Sequence, residues 1–220
     1  MHPVAAKIIA KRISGVKTGE HLKALLAPRL SMLDSYAGLP DIERATDRIV
    51  HAIIHGEHIA LETDHDVDGV SSHAVFKSAL VNHFGHPATR IHSFIGHRLK
   101  EGYGLSDALA DRILAHTPRP SLIITADNGS SDQARIARLA ESSIDVVVSD
   151  HHDLPEDGPP ESAVACVSPK VEGCAYPDTS IAGVMVSWLL MCSVRNALIK
   201  HGHLPANAPK LTNLLDYVAV

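Results

Sequence analysis

The sequence predicts an α/β fold, a mostly parallel sheet with helices on both faces, preceded by a helical lead-in. The first sign is a set of short, nearly continuous apolar runs at residues 59–63, 121–126, 144–149 and 163–167. Strands buried on both faces read this way, whereas half-exposed strands alternate. The second sign is that stretches with helical spacing separate the runs, as the crossovers of parallel strands require. The third is that three of the runs stop at an aspartate, Asp64, Asp127 and Asp150. Such ends are where open α/β sheets bind ligands.

Taken in order, residues 1–40 form the helical lead-in and residues 41–220 the main domain. Ala5, Ile8, Ile9, Arg12 and Ile13, then Leu22, Leu25 and Leu26, are spaced as on an amphipathic helix, punctuated by Pro28 and Gly38-Leu39-Pro40. Asp41 is placed to cap a helix that turns Ile42, Ala45, Ile49, Ala52 and Ile53 inward and ends near Gly56. A strand over 59–63 leads into the acidic turn and a helix over about 70–84. A strand over 90–95 precedes a helix over 106–115 that Ser106 can cap. Strand 121–126, helix 131–142, strand 144–149 and a short strand over 163–167 follow. Residues 155–160 read as a polar loop, 181–201 as a long helix, and 209–220 as the start of another.

Composition bounds the function. Hydrophobic residues at 45% and charged residues at 20% are ordinary for a globular chain. No apolar run approaches the length expected of a membrane span, and the first residues lack the apolar segment of a signal peptide. Cys166, Cys174 and Cys192 contain no C-x-x-C pair and leave an odd count, which fits a reducing cytoplasm. A net charge of −5 argues against nucleic-acid binding by a broad basic surface. It does not exclude a nuclease, because bound divalent cations restore positive charge locally.

The chemistry gathers at the strand ends. Asp64-His65-Asp66-Val67-Asp68-Gly69 sets three carboxylates on alternate positions, and these repel one another unless a cation neutralises them. Asp127-Asn128-Gly129 and Asp150-His151-His152-Asp153 close the other two ends. Oxygen and imidazole ligands without thiolate suit Mn²⁺ or Mg²⁺ better than a structural zinc.

These three motifs, in this order, resemble those of the DHH phosphoesterases. The intervening segments are similar to the RecJ branch. They are Arg98-Leu99-Lys100-Glu101-Gly102-Tyr103-Gly104-Leu105-Ser106, the strand ending in Asp127-Asn128-Gly129, Gly173-Cys174-Ala175-Tyr176-Pro177, Ala182-Gly183-Val184 and Leu214-Leu215-Asp216-Tyr217-Val218-Ala219. The resemblance runs from about residue 41 to 220. It implies that Asp64, Asp66, Asp127 and His151 ligate two Mn²⁺ or Mg²⁺ ions, with Asp216 as a late metal-binding aspartate. It implies that His152 contacts the scissile phosphate, that Asp150 and Asp68 support the site, and that Arg98 binds phosphate or substrate. The activity it implies is two-metal hydrolysis of single-stranded DNA from the 5′ end.

His65 and Val67 depart from the branch, which more often has an aromatic residue and an alanine there, and Ser168-Pro169 replaces its Asn-Pro. The sequence stops at Val220 inside the last family segment. The C-terminal domain that closes the substrate groove in this superfamily, and the OB-fold of bacterial RecJ, lie outside this sequence. The expectation is therefore a fragment, a natural truncation, or a partner domain supplied by another chain. Two other functions stay open: a phosphodiesterase acting on oligoribonucleotides, cyclic dinucleotides or pyrophosphate, and a non-catalytic module of a replication or repair assembly.

Overall fold

The computed structural model describes residues 2–12, 19, 26–27 and 29–219. The chain divides into two compact units, Met1–Ser35 and Tyr36–Val220. In the first, helix α1 (Pro3–Arg12) exposes Val4 and Ile8, and a 3-10 turn covers Leu30–Met32. Ile13, Leu22 and Leu25 of the expected lead-in helix lie outside the described residues.

The second unit opens with α2 (Ile42–His55), whose buried Ile42, Ala45, Ile49, Ala52 and Ile53 form the inward stripe the spacing predicts. It ends at Gly56, left-handed at φ 63°. Asp41 occupies the cap position without capping: its carboxylate accepts instead from the Cys166 amide at 3.1 Å and from Arg44 at 3.1 Å. A tertiary donor outcompeted the local one.

Five parallel strands follow: β1 (Ile59–Thr63), β2 (Ile91–Ile95), β3 (Leu122–Ala126), β4 (Asp145–Ser149) and β5 (Ala165–Val167). Their order is β2-β1-β3-β4-β5, with Ile59 opposite both Ile91 and Leu122. The connecting helices are α3 (Val67–Ser78, continued by a π turn over Ala79–His83), the short α4 (Arg98–Glu101), α5 (Asp107–Leu114) and α6 (Gln133–Glu141). Ser106 caps α5 by accepting from the Leu109 amide, as its position predicts. Helix α7 (Gly183–Lys200) and the single turn α8 (Leu215–Val218) complete the unit.

Period-two alternation divides the sheet between two cores. Ile59 and Leu61, with Leu122, Ile124 and Val147, pack against α2, α3 and α7. Ala60, Ile123, Val146 and Val148 pack against α5 and α6 through Leu109, Ile113, Ile136 and Leu139. Helix α7 corrects one expectation, because its 18 residues are long and apolar enough to cross a membrane by length and composition. Small and polar residues such as Ser187 and Ser193 masked that run in the sequence. In the fold Val186, Leu189, Leu190, Met191 and Val194 are buried in the first core.

A charged cluster ties α2 to the sheet. Arg48 donates to Glu57 at 2.7 Å and to Asp145 at 2.6 Å, and Ser121 also donates to Glu57. Burial works upward on Glu57, but these donors, Arg48 first, bring its carboxyl down to about 2. A depressed carboxylate contributes stability above its unfolded pKa, and the contribution is lost as pH falls through the folded value. Acid denaturation followed by circular dichroism should therefore show wild-type stability falling between about pH 4.5 and 2. Glu57→Gln should be less stable at pH 7 and lose less over that window.

Candidate metal centre

The strand order reverses between β1 and β3, because the chain leaves β1 for β2 on one side and returns to β3 on the other. Ligands of such sheets sit in the crevice beyond the carboxyl ends of the two strands at that reversal. Asp64 follows β1 and Asp127 follows β3, both buried. The turn after β1 is tight because α3 begins three residues later. Asp66 caps it, accepting from the Gly69 amide at 3.1 Å. Gly69 allows the close approach, since a Cβ there would lie 2.5 Å from the Asp64 carbonyl oxygen.

Asp64, Asp66 and Asp127 bring one carboxylate oxygen each within 4.8 Å of one another. Asp127 also joins His151, whose Nε2 is 3.0 Å from its Oδ1. Asp127 is 1% exposed, and its backbone is left-handed at φ 62°, a conformation aspartate tolerates better than most residues. The His151 Nδ1 lies 3.0 Å from the Ile181 carbonyl, which can only accept, so Nδ1 carries the proton. In the neutral ring a lone pair at Nε2 therefore faces Asp127. Contact distance alone makes this an ion pair, but neither Asp127 oxygen has a donor in that tautomer. The Ile181 carbonyl fixes the ring in that tautomer. Burial, aided by Asp68 and Asp66, pushes Asp127 up to about 6, and the Asp127 contact raises His151. Three carboxylates and an imidazole lone pair, with a buried acceptor lacking a donor, fit a divalent cation with oxygen and nitrogen ligands.

Asp68 has a different task. Its two oxygens accept from the Gly183 amide at 2.8 Å and the Val184 amide at 2.6 Å, at the first turn of α7. A carboxylate there satisfies otherwise unpaired amides and the positive end of the helix. This bond brings α7 against the centre, and a Cβ at Gly183 would come 2.7 Å from Asp127 Oδ1. Asp68→Ala should destabilise the chain by roughly 1–2 kcal/mol, the scale of a lost helix cap. Urea unfolding read alongside Mn²⁺ calorimetry should show both stability and affinity reduced.

Asp150 is buried and accepts from the Ser130 amide at 3.0 Å, the His151 amide at 2.7 Å and the His152 amide at 3.2 Å. It also accepts from His152 Nδ1 at 2.8 Å, which raises His152 to about 9. That nitrogen is 4.0 Å from Asp127, close enough to count as a metal-ligand group by distance. Its lone pair is unavailable while it donates to Asp150, so His152 is better suited to donate from Nε2 than to ligate. Nε2 stands 3.2 Å from the Tyr103 hydroxyl.

Arg98 lies at the mouth, exposed on α4, with Nη1 3.3 Å from His65 Nε2 and its guanidinium 5.8 Å from the Tyr103 ring. His65 Nδ1 in turn meets Asp64 Oδ1 at 2.5 Å. Asp216 is not brought to the cluster. It is exposed on α8, and among the described residues its carboxylate is not one of those gathered within 4.8 Å. Its neighbours Tyr217 and Val218 line, with Asp68, a cavity of about 270 Å³.

Sequence reasoning gave no role to four participants. Tyr103 and Gly183 stood in quoted motifs, but which side chain they would approach needed the fold. His65 was noted only as a departure. Glu62, buried on β1, accepts from Asn128 Nδ2 at 3.2 Å and is held well above the carboxylate range by burial, then by the nearby Asp132, Asp64 and Asp150. Nothing in a strand pattern announces a buried acid.

A parallel sheet whose switch point gathers three carboxylates and an oriented histidine defines the class: an α/β protein built to hold divalent cations. The chain belongs to the DHH family, whose N-terminal domain matches residues 58–220. Among curated relatives, the single-stranded-DNA-specific exonuclease RecJ of Escherichia coli (strain K12) is 32% identical over 99% of this chain and 36% of its own length. RecJ of Haemophilus influenzae is 34% identical over all of this chain and 36% of its own. The chain thus spans about a third of these relatives. A crystal structure of exonuclease RecJ bound to manganese superposes with a TM-score of 0.65 at 27% identity, covering 82% of this chain and 42% of that one. RecJ of Thermus thermophilus in complex with Mn²⁺ shares the fold, at a TM-score of 0.63 and 23% identity over 88% of this chain and 25% of its own.

Proposed function

We propose that this chain is the catalytic core of a metal-dependent phosphodiesterase that cleaves single-stranded DNA. The observation that carries the reading is the convergence of Asp64, Asp66, Asp127 and the Nε2 lone pair of His151 at one switch point. The likeness to RecJ exonucleases and to a manganese-bound RecJ structure supports it. These four residues would hold Mn²⁺ or Mg²⁺, with Asp68 and Asp150 as positioning residues. Bound there, the ions supply an acidified water and neutralise charge developing on the phosphate. His152, fixed by Asp150, donates from Nε2 to a phosphate oxygen or to the leaving group. Arg98 offers a planar pair of donors to a phosphate at the mouth. Degradation from the 5′ end, and completion of the substrate groove by a further domain or partner chain, belong to the same proposal.

The test is hydrolysis with Mn²⁺ of end-labelled single-stranded DNA against dinucleotides, cyclic dinucleotides and pyrophosphate. Preference for DNA is expected; preference for a small substrate would replace this reading. Absence of both turnover and Mn²⁺ binding would favour a non-catalytic module. Tyr103→Phe should lower kcat several-fold with unchanged thermal stability, since the half-exposed ring keeps its packing and loses only the hydroxyl facing His152.

A further inference from the structure

A second group of imidazoles lies at the opposite end of the sheet. His58 stands just ahead of β1, His92 is on β2, and His116 follows α5. His92 faces the other two: its Nε2 is 2.9 Å from His58 Nδ1 and its Nδ1 is 3.0 Å from His116 Nε2. From His58 to Asp64 is six steps along an extended strand, roughly 20 Å, so this group is separate from the carboxylate centre. All three rings are half-buried. His92 and His116 line an open cavity of about 560 Å³ with Ser93, Phe94 and Arg112.

We propose that His92 Nδ1 and His116 Nε2 form a binding site for a borderline divalent cation that prefers imidazole, of the Cu²⁺ or Ni²⁺ class. When His92 Nε2–H donates to His58 Nδ1, the tautomer leaves a lone pair on His92 Nδ1, which accepts from His116 Nε2–H in the ion-free form. An entering cation displaces that proton, which is taken up at His116 Nδ1 or lost to water, so that both lone pairs face the ion. His58 then plays the part of the outer partner that orients a metal-ligating histidine. Two nitrogens 3.0 Å apart subtend roughly 95° at an ion held by bonds of about 2.0–2.1 Å. That angle matches adjacent positions of a tetragonal ion, with the cavity giving water access to the others. Burial, then the neighbouring His116 and His58, lowers the His92 pKa and keeps the ring in its neutral, ligating form.

The surrounding charges allow a cation. The Arg112 guanidinium is neutralised by Glu101, at 2.7 and 2.8 Å from its two oxygens. Glu57, next to His58 in sequence, commits its carboxylate to Arg48, His51 and Ser121. The site therefore offers imidazole nitrogens and no carboxylate, unlike the oxygen-rich centre at the other end.

The experiment is Ni²⁺ calorimetry on the full chain in a His151→Ala, His152→Ala background, which removes the imidazoles of the carboxylate centre, with Mg²⁺ in excess. One Ni²⁺ per chain is expected. His92→Gln and His116→Gln should each weaken it at least ten-fold. His55→Gln, which breaks the stacked His51–His55 pair on α2, should leave it unchanged. No binding in the background, or binding that persists through both His92→Gln and His116→Gln, would overturn the proposal. If circular dichroism shows either variant unfolded, electron paramagnetic resonance of Cu²⁺ in the otherwise unsubstituted background decides. Two coordinated imidazole nitrogens support the site, and one or none overturns it.

Discussion

Replacing Asp127 by Asn is expected to cut metal-dependent hydrolysis by roughly 10²–10³-fold, the scale of removing one preorganised electrostatic group. The chain should stay folded. Asparagine tolerates the left-handed backbone at φ 62° and keeps the shape of the side chain. Asp127 is also the group shared by the two clusters, one with Asp64 and Asp66 and the other with His151. Neutralising it removes a buried carboxylate that lacks a donor, so the melting temperature without metal should hold or rise. The rise that Mn²⁺ gives to the wild-type melting temperature should shrink in the variant. Steady-state hydrolysis and thermal denaturation with and without Mn²⁺ check both halves. Near-wild-type rates would mean that the centre is elsewhere.

Gly69→Ala is expected to have the next largest effect, through the backbone. The added Cβ would meet the Asp64 carbonyl oxygen at 2.5 Å, its carbon at 2.7 Å and its Cα at 2.9 Å. None of these is the end of a flexible side chain, so the start of α3 must move away from the end of β1. Overpacking of this kind costs roughly 1–3 kcal/mol, so a loss of about 2 kcal/mol would lower the melting temperature by roughly 4–8 °C. The displacement also carries Asp66 away from Asp64. Mn²⁺ affinity and kcat should fall by more than the stability loss explains when measured well below the melting temperature. A variant with lower stability but unchanged affinity would show that the turn does not position the ligands.

Strands β1, β3, β4 and β5 were legible because they are buried almost throughout and so read as nearly unbroken apolar runs, whereas β2, at the sheet edge, buries only Ile91 and Phe94. Boundaries shifted where tertiary contacts took over. Helix α3 begins at Val67 rather than at Val70, because Asp66 is free to cap once Gly69 packs on Asp64. The extent of α7 was legible, Gly183–Lys200 against an expected 181–201, but its membrane-length apolar character was not, because serines and small residues break the run without exposing it. The cluster of Asp64, Asp66, Asp127 and His151 was legible through strand ends and family resemblance together. Which oxygen caps α7, which nitrogen of His151 carries the proton, and the approach of Gly183 to Asp127 were not. They depend on the start of α7, which lies far from the strand-end motifs in sequence yet meets His151 at Ile181 and Asp68 at Gly183. Asp216 lies exposed on α8, and its carboxylate is not among those within 4.8 Å of one another.

The most direct measurement of the central claim is anomalous X-ray scattering at the manganese edge from crystals of the chain soaked in Mn²⁺. The account predicts a peak within coordination distance of the Asp127 carboxylate, bordered by Asp64, Asp66 and His151 Nε2. A fully occupied peak elsewhere, or none beside Asp127 at saturating Mn²⁺, would contradict it.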